Sequence, residues 1–367
     1  MLFEKTLTGC LARYPDLSFT VYCNQQAFDT LPPESERLVK RLVPWLNRQY
    51  GKTLWLEFAA HRVVNADGSD IFWIPSGANS FPGRWRKPNV VTILDVGEYF
   101  VPRKYGAQRM LYRRWFCLPR SVRRARVITT ISHNAADALQ RTFRLRERPR
   151  VVHPGPNPRT EVTLDRPPAE IVLEETGFRP GEFILTPGRT DYVSKGLDVL
   201  IEGFRKAAPD KPGTLSLVLV GPEGEDHRRM LEHIEKTGLS GRAHWLGRVS
   251  DRCLEALYRS CRIVVIASRY EGFGFPVLEA MQHGVPVICS DAGSLPEVAG
   301  EAEALARAIR RILLEPELAK ALVAKGPEQL GRFSWDQSIA DMRAAFDVAT
   351  KPQENLPFRD PSRRMPA

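Results

Sequence analysis

Short runs of β-branched and aromatic residues bounded by turn formers mark strands in the first part of the chain, over residues 18–22, 70–74 and 90–94. Between them apolar positions recur at helical spacing, which predicts helices over 3–14, 35–50, 105–116 and 133–143. A further strand, 126–131, runs into Ser132, a residue type that caps helices. From residue 182 the alternation becomes strict, with strands over 183–186, 215–220, 243–246, 263–267 and 285–289. Helices are predicted between them over 196–208, 226–237, 251–260 and 276–283. Strand and helix in strict alternation build a parallel, doubly wound α/β sheet, and such sheets bind ligands at the carboxyl ends of their strands.

A chain of 367 residues exceeds what one hydrophobic core usually organises. The prolines of 154–158 and 167–168 suggest an inter-domain connection. The expected division is an N-terminal domain over 1–165, a C-terminal domain over 166–335, a terminal helix over 336–349 and a proline-rich, disordered tail over 350–367. With 43% hydrophobic and 26% charged residues the composition is that of a soluble globular protein. No apolar run is long enough to cross a membrane and the first residues lack a signal-peptide pattern, so a cytoplasmic location is expected. Six cysteines without a C-x-x-C pair predict buried thiols rather than zinc ligands or disulfides. Seven dispersed histidines and the lack of an Asp-x-Asp pair predict no metal and no cofactor.

Charge changes the picture in one place. The net charge is +10, and residues 101–150 hold fourteen Arg or Lys against Asp137 and Glu147. Such a segment fits an anionic partner: nucleic acid, anionic lipid or a phosphorylated substrate. No nucleic-acid motif accompanies it, so nucleic acid is not expected. Over 99–126 aromatic and basic residues interleave, as suits a peripheral position on an anionic membrane surface; an ordinary amphipathic helix accounts for the same pattern.

Two loops carry candidate chemistry. Glu271, Gly272, Phe273, Gly274, Phe275, Pro276, Val277, Leu278 and Glu279 follow an apolar strand and open a helix. Gly272 and Gly274 permit close approach of main chain to a ligand, Pro276 suits the first helical position, and helix N-termini attract phosphate. The two carboxylates can accept from vicinal hydroxyls. A plain strand-to-helix turn with solvated glutamates is the alternative. In the second loop Gly188 and Arg189 precede Lys195 and Gly196, and the two cations, six residues apart, can converge on a diphosphate or simply be solvated.

Together with Gly284, Pro286, Ser290, Asp291, Pro296 and Glu297 downstream, the first loop resembles the signature of group 1 glycosyltransferases, the E-x7-E pair of retaining, family 4 type GT-B enzymes. The second loop and the strand ending at Gly221 are similar to the same family. The resemblance implies two Rossmann-like domains facing across a cleft, and transfer of a hexosyl group, mannosyl among the candidates, from a UDP- or GDP-sugar with retention. The acceptor would be a saccharide or lipid-linked molecule in cell-surface polysaccharide or glycoconjugate synthesis. Arg189 and Lys195 would hold the diphosphate, Glu271 the sugar and Glu279 the ribose, with Gly188, Gly221 and residues 272–277 completing the donor site. Asp95 and Ser132 would lie on the acceptor side. Family members open with a strand and a glycine-rich loop ahead of the helix that comes first here; residues 1–24 hold no such unit, and Leu94 stands where many members have His. A truncated or inactive scaffold that only binds nucleotide sugar is the alternative.

Overall fold

The computed structural model describes residues 2–47, 51–77, 86–157, 162–207, 215–291, 293 and 305–351. The chain divides into two compact units: 1–96, 108–155 and 334–367 form the first, 97–107 and 156–333 the second. The break thus falls at 155/156 rather than 165/166, and the stretch 97–107 belongs by its contacts to the second unit. Residues 352–367, where a disordered tail was expected, lie outside the described residues.

In the first unit β1 (Phe19–Cys23) and β2 (Leu38–Leu42) form a parallel pair, while β3 (Phe72–Ile74), β4 (Asn89–Thr92), β5 (Val127–Thr130) and β6 (Arg150–Val151) form a parallel sheet in sequence order. The helix expected over 35–50 is therefore wrong: β2 and a 3-10 turn, Pro44–Asn47, occupy it, and 48–50 lie outside the described residues. Leu38, Leu42 and Leu46 satisfy a helical period. Leu38 and Val39, however, pair with Phe19 and Thr20, and Pro44 has no amide with which to continue a helix. The helix expected over 105–116 starts later and runs further, as Ala107–Leu111, a wider π-type stretch Tyr112–Cys117, and Leu118–Arg124. The wide turn stands ahead of Pro119, which could not extend a regular hydrogen-bond ladder. Helix Leu2–Arg13 packs on Trp335–Thr350, where Ile339 fills the space beside Gly9. Val90, Val127, Val152, Met342 and Phe346 form the core beneath.

The second unit holds five parallel strands, β7 (Phe183–Pro187), β8 (Ser216–Val220), β9 (Ala243–Trp245), β10 (Ile263–Ile266) and β11 (Val287–Cys289), in the order β11-β10-β7-β8-β9. Strand order reverses between β7 and β10, which makes their carboxyl ends the switch point where doubly wound sheets take ligands. Helices Leu197–Ala207, His227–Lys236, Asp251–Ser260 and Phe275–Gln282 connect the strands. Leu200, Ile201 and Phe204 cover Ile184, Leu217 and Val265 of the sheet. Elements here fall within about two residues of their predicted ends, as propensity allows. Residues 294–304 lie outside the described residues, so Pro296 and Glu297 are not placed, and the next described helix is Leu305–Leu314, followed by Pro316–Leu330.

Gly196 shows how tightly the switch point is built. Its φ is +60°, and a Cβ there would stand 2.0 Å from the carbonyl oxygen of Ala267. Gly196→Ala is expected to destabilise the protein by about 2 kcal/mol or more, since strain and overlap add. A lowered urea midpoint at unchanged slope is the measurement.

All six cysteines are free and five are buried. Burial pushes the thiol of Cys10 up to about 11 and those of Cys253, Cys261 and Cys289 up to about 12, leaving them inert near neutrality. Among the described residues no helix is long and apolar enough to cross a membrane.

Candidate functional site

The loop after β7 is fixed along its length by the neighbouring β8 loop. Gly188 N donates to Val220 O at 2.8 Å, Thr190 N to Pro222 O at 3.2 Å and Tyr192 N to Glu225 O at 3.0 Å. Asp191 Oδ1 accepts from Glu225 N at 2.8 Å, and Lys195 N donates to Asp191 O at 2.9 Å. Gly221 leaves room for this contact: its φ is +146°, and a Cβ there would meet Gly188 O at 2.1 Å. Arg189 and Lys195 are thus presented by a braced turn, so little ordering remains when an anion binds.

Lys195 Nζ lies 2.5 Å from Glu271 Oε1, and Ser268 Oγ donates to the same oxygen at 2.7 Å. Ser268 is itself held through its carbonyl, which accepts from Ser290 Oγ. The ion pair is mostly shielded, with side-chain exposures of 28% for Lys195 and 14% for Glu271. Arg189 is 54% exposed and reaches Asp191 at 3.4 Å. Gly188, Arg189, Lys195, Ser268 and Glu271 line one small depression at the carboxyl ends of β7 and β10. Lys195 and Glu271, 76 positions apart in sequence, are thereby brought into contact, with Arg189 in the lining of the same depression.

Helix Phe275–Gln282 starts after Gly274, whose φ is +105°, and no side chain caps it. Phe275 is its first residue, so Pro276 takes the second position rather than the first. Phe273 is 3% exposed and packs edge-on against Phe275 and Phe333, and Val277 is fully buried. These side chains belong to the core, so what the segment can offer a ligand there is main chain, with the positive end of the helix behind it.

Glu279 stands one turn inside this helix and is 6% exposed. Its Oε1 accepts from Asn157 Nδ2 at 2.8 Å and its Oε2 from Tyr258 Oη at 2.6 Å. Tyr258 stacks on His283 at 4.9 Å, and His283 Nε2 lies 2.8 Å from Glu255 Oε2. A carboxylate oxygen accepts two hydrogen bonds, so each retains capacity for a hydroxyl. Sequence reasoning missed both partners: Asn157 sits among prolines and reads as linker, and Tyr258 reads as a core position of an amphipathic helix. It also missed Tyr270, which stacks on Phe100 at 5.7 Å and lies under the ammonium of Lys104 at 5.2 Å. These contacts tie the stretch 97–107 to the Glu271 loop.

Asp95 and Ser132 are in the first unit, beyond the carboxyl ends of adjacent strands β4 and β5. Ser132 is fully buried and its Oγ accepts from Ala135 N at 3.1 Å, the cap expected from sequence. Among the described residues no three His, Cys, Asp or Glu side chains converge to hold a metal ion.

Residues 10–159 match the profile of Glycosyltransferase Family 4, and residues 173–329 that of Glycosyl transferases group 1. The O-antigen chain mannosyltransferase B of Escherichia coli is 28% identical over 295 residues, covering 75% of this chain and 74% of that protein. Among solved structures, WaaG, a glycosyltransferase involved in lipopolysaccharide biosynthesis, superposes with a TM-score of 0.68 at 17% identity over 95% of each chain. Anabaena HepE in complex with UDP and glucose superposes with a TM-score of 0.67 at 17% identity, over 94% of this chain and 95% of that one. At these identities the superpositions establish the fold, a GT-B arrangement of two Rossmann-like units. With one profile matched in each half and a mannosyltransferase aligned through three quarters of its length, the chain belongs to the group 1 glycosyltransferases.

Proposed function

We propose that the protein transfers a hexosyl group, mannosyl by preference, from a GDP- or UDP-sugar to a saccharide or lipid-linked acceptor in cell-surface polysaccharide synthesis, with retention of configuration. The observation that carries the reading is the junction of Lys195, Arg189 and Glu271 at the switch point of the second unit. An arriving diphosphate would draw Lys195 and Arg189 onto its oxygens, and Glu271, released from Lys195 but still held by Ser268, would accept from sugar hydroxyls. Glu279 would take the ribose diol. The acceptor hydroxyl would attack from the leaving-group face, the C1–O bond to the diphosphate breaking as the new glycosidic bond forms, and the departing phosphate oxygen would accept the hydroxyl proton. The cations stabilise charge that develops on the leaving group, which is where a fixed electrostatic site accelerates a reaction most. The mannosyl preference rests on the E. coli relative.

The experiment is a panel of nucleotide sugars, tested with chelator present, for thermal stabilisation and for release of nucleoside diphosphate. A ligand that binds only the native state raises the midpoint in proportion to its affinity. One donor that both stabilises the protein and is consumed supports the proposal; stabilisation and turnover that appear only with added divalent ions would overturn its metal-free form.

Attachment to an anionic membrane surface is part of the proposal. Leu111, Trp115 and Phe116 are 57%, 50% and 53% exposed, beside the exposed Arg109 and Arg114. Glu57 pairs with Arg120 at 3.6 Å, and its neighbours Leu54 and Phe58 are also exposed. Apolar side chains among arginines suit an interface, where each cation contributes about 1 kcal/mol. Co-sedimentation with anionic vesicles is expected, falling with salt and with the triple change Leu111, Trp115 and Phe116 to Ser. Equal recovery on neutral vesicles would contradict it.

A further inference from the structure

The loops that follow β7 and β10 are joined a second time beside the Lys195–Glu271 pair. The main-chain ladder between these strands registers Ile263 with Ile184 and Val264 with Leu185, so Lys195 and Glu271 stand well past it, in loops. Their separation depends on contacts from loop to loop, and Arg269, two residues before Glu271, makes several. Its main-chain N donates to Ser194 O at 2.9 Å. Its Nη1 donates to Val193 O at 2.8 Å and to Asp198 Oδ1 at 2.7 Å, and its Nη2 to Asp198 Oδ2 at 2.6 Å.

Asp198 lies three residues after Lys195, in the first turn of helix Leu197–Ala207, where the positive end of the helix favours a carboxylate. Partial burial disfavours its charge, and the Arg269 fork outweighs that, holding the carboxyl below its usual range. One guanidinium thus grips the β7 loop on both sides of Lys195, at Val193 before it and at Asp198 after it. The side chains of Arg269 and Asp198 are 39% and 34% exposed. An ion pair so placed contributes little to stability, but a planar fork with two parallel hydrogen bonds fixes direction as well as distance.

We propose that Arg269, through its fork with Asp198, is a positioning residue of the transfer reaction, fixing Lys195 against Glu271 so that the ammonium meets the leaving diphosphate while the carboxylate meets the sugar. The inference rests on the roles assigned above to Lys195 and Glu271; Arg269 acts through them and touches no substrate. A misplacement of about 1 Å can cost on the order of 100-fold in rate. The long side chain of Lys195 can still follow a bound diphosphate from a displaced loop, so the loss should fall on turnover rather than on binding. Charge alone predicts the opposite sign for one partner: removing the Asp198 carboxylate would favour an anionic donor, so a slower Asp198→Asn protein reports geometry.

The test measures donor turnover, amide exchange and thermal midpoint in Arg269→Gln, Arg269→Lys and Asp198→Asn, each alone and combined with Lys195→Ala. Each single change is expected to lower kcat by about tenfold with the donor KM within about threefold. The midpoint should stay within about 4 °C of the unaltered protein. Arg269→Lys should resemble Arg269→Gln, because an ammonium lacks the planar fork. With Lys195 already Ala the same changes should cost only about twofold, since no ammonium remains to be placed; a merely structural role would cost the same in both backgrounds. Exchange at the amides of Lys195 and Gly196, which donate to Asp191 O and Val193 O, should quicken by about tenfold while Ile184 and Leu217 keep their protection. The exchange measurement needs no turnover, so it separates failure of the fork from failure of the assigned reaction, which an unaltered protein that consumes no donor would show. Full turnover in Asp198→Asn or Arg269→Lys, equal losses with and without Lys195, or unchanged exchange at Lys195 and Gly196 would overturn the proposal.

Discussion

Lys195→Ala is expected to lower kcat by about 100- to 1,000-fold, the loss typical of removing one fixed group that stabilises charge growing in the transition state. The loss should fall on turnover more than on KM, because the diphosphate carries more charge as it leaves than in the bound donor. Folding should survive: Glu271 keeps the Ser268 hydrogen bond, and the lost partner is one member of a partly exposed pair. Arg189→Ala should cost less, since its guanidinium is the more exposed of the two cations and is shared with Asp191. A correctly folded Lys195→Ala protein with unchanged turnover would remove Lys195 from the reaction.

The two glutamates should separate by ligand. Glu279→Gln is expected to weaken binding of the bare nucleoside diphosphate by about tenfold, since a charge-assisted hydrogen bond to a hydroxyl becomes a neutral one. Glu271→Gln should leave that affinity within about twofold and lower turnover of the intact donor instead. Calorimetry with nucleotide and with nucleotide sugar tells them apart, and equal losses for both ligands in both variants would contradict the division. The surroundings support it: Glu271 lines the depression with the two cations, whereas Glu279 sits deeper on its helix, fixed by Asn157 and Tyr258.

What could be read from sequence follows from which interactions are local. The second unit was legible because each of its strands is a short apolar run and each connecting helix carries its own period, so β7 to β11 lie near their expected positions. The first unit was less so. Leu38, Leu42 and Leu46 fit a helix as well as a strand, and only pairing with β1 decides for the strand. Arg189 and Lys195 were singled out by their spacing in one loop, but the approach of Lys195 to Glu271 depends on strand order. The grip of Asn157 and Tyr258 on Glu279 spans 122 and 21 residues, and no local pattern announces it. The stretch 97–107 reads as part of the first half of the chain, yet stacking of Phe100 on Tyr270 places it with the second unit.

The most direct test of the account follows the anomeric signals of GDP-mannose and UDP-hexoses by NMR as the protein acts on them with a saccharide acceptor. The expected result is one donor consumed without added metal, nucleoside diphosphate released, and a glycoside with the donor's anomeric configuration, all lost in Lys195→Ala. A folded protein that yields the inverted glycoside, or that neither binds nor consumes any donor, would contradict it.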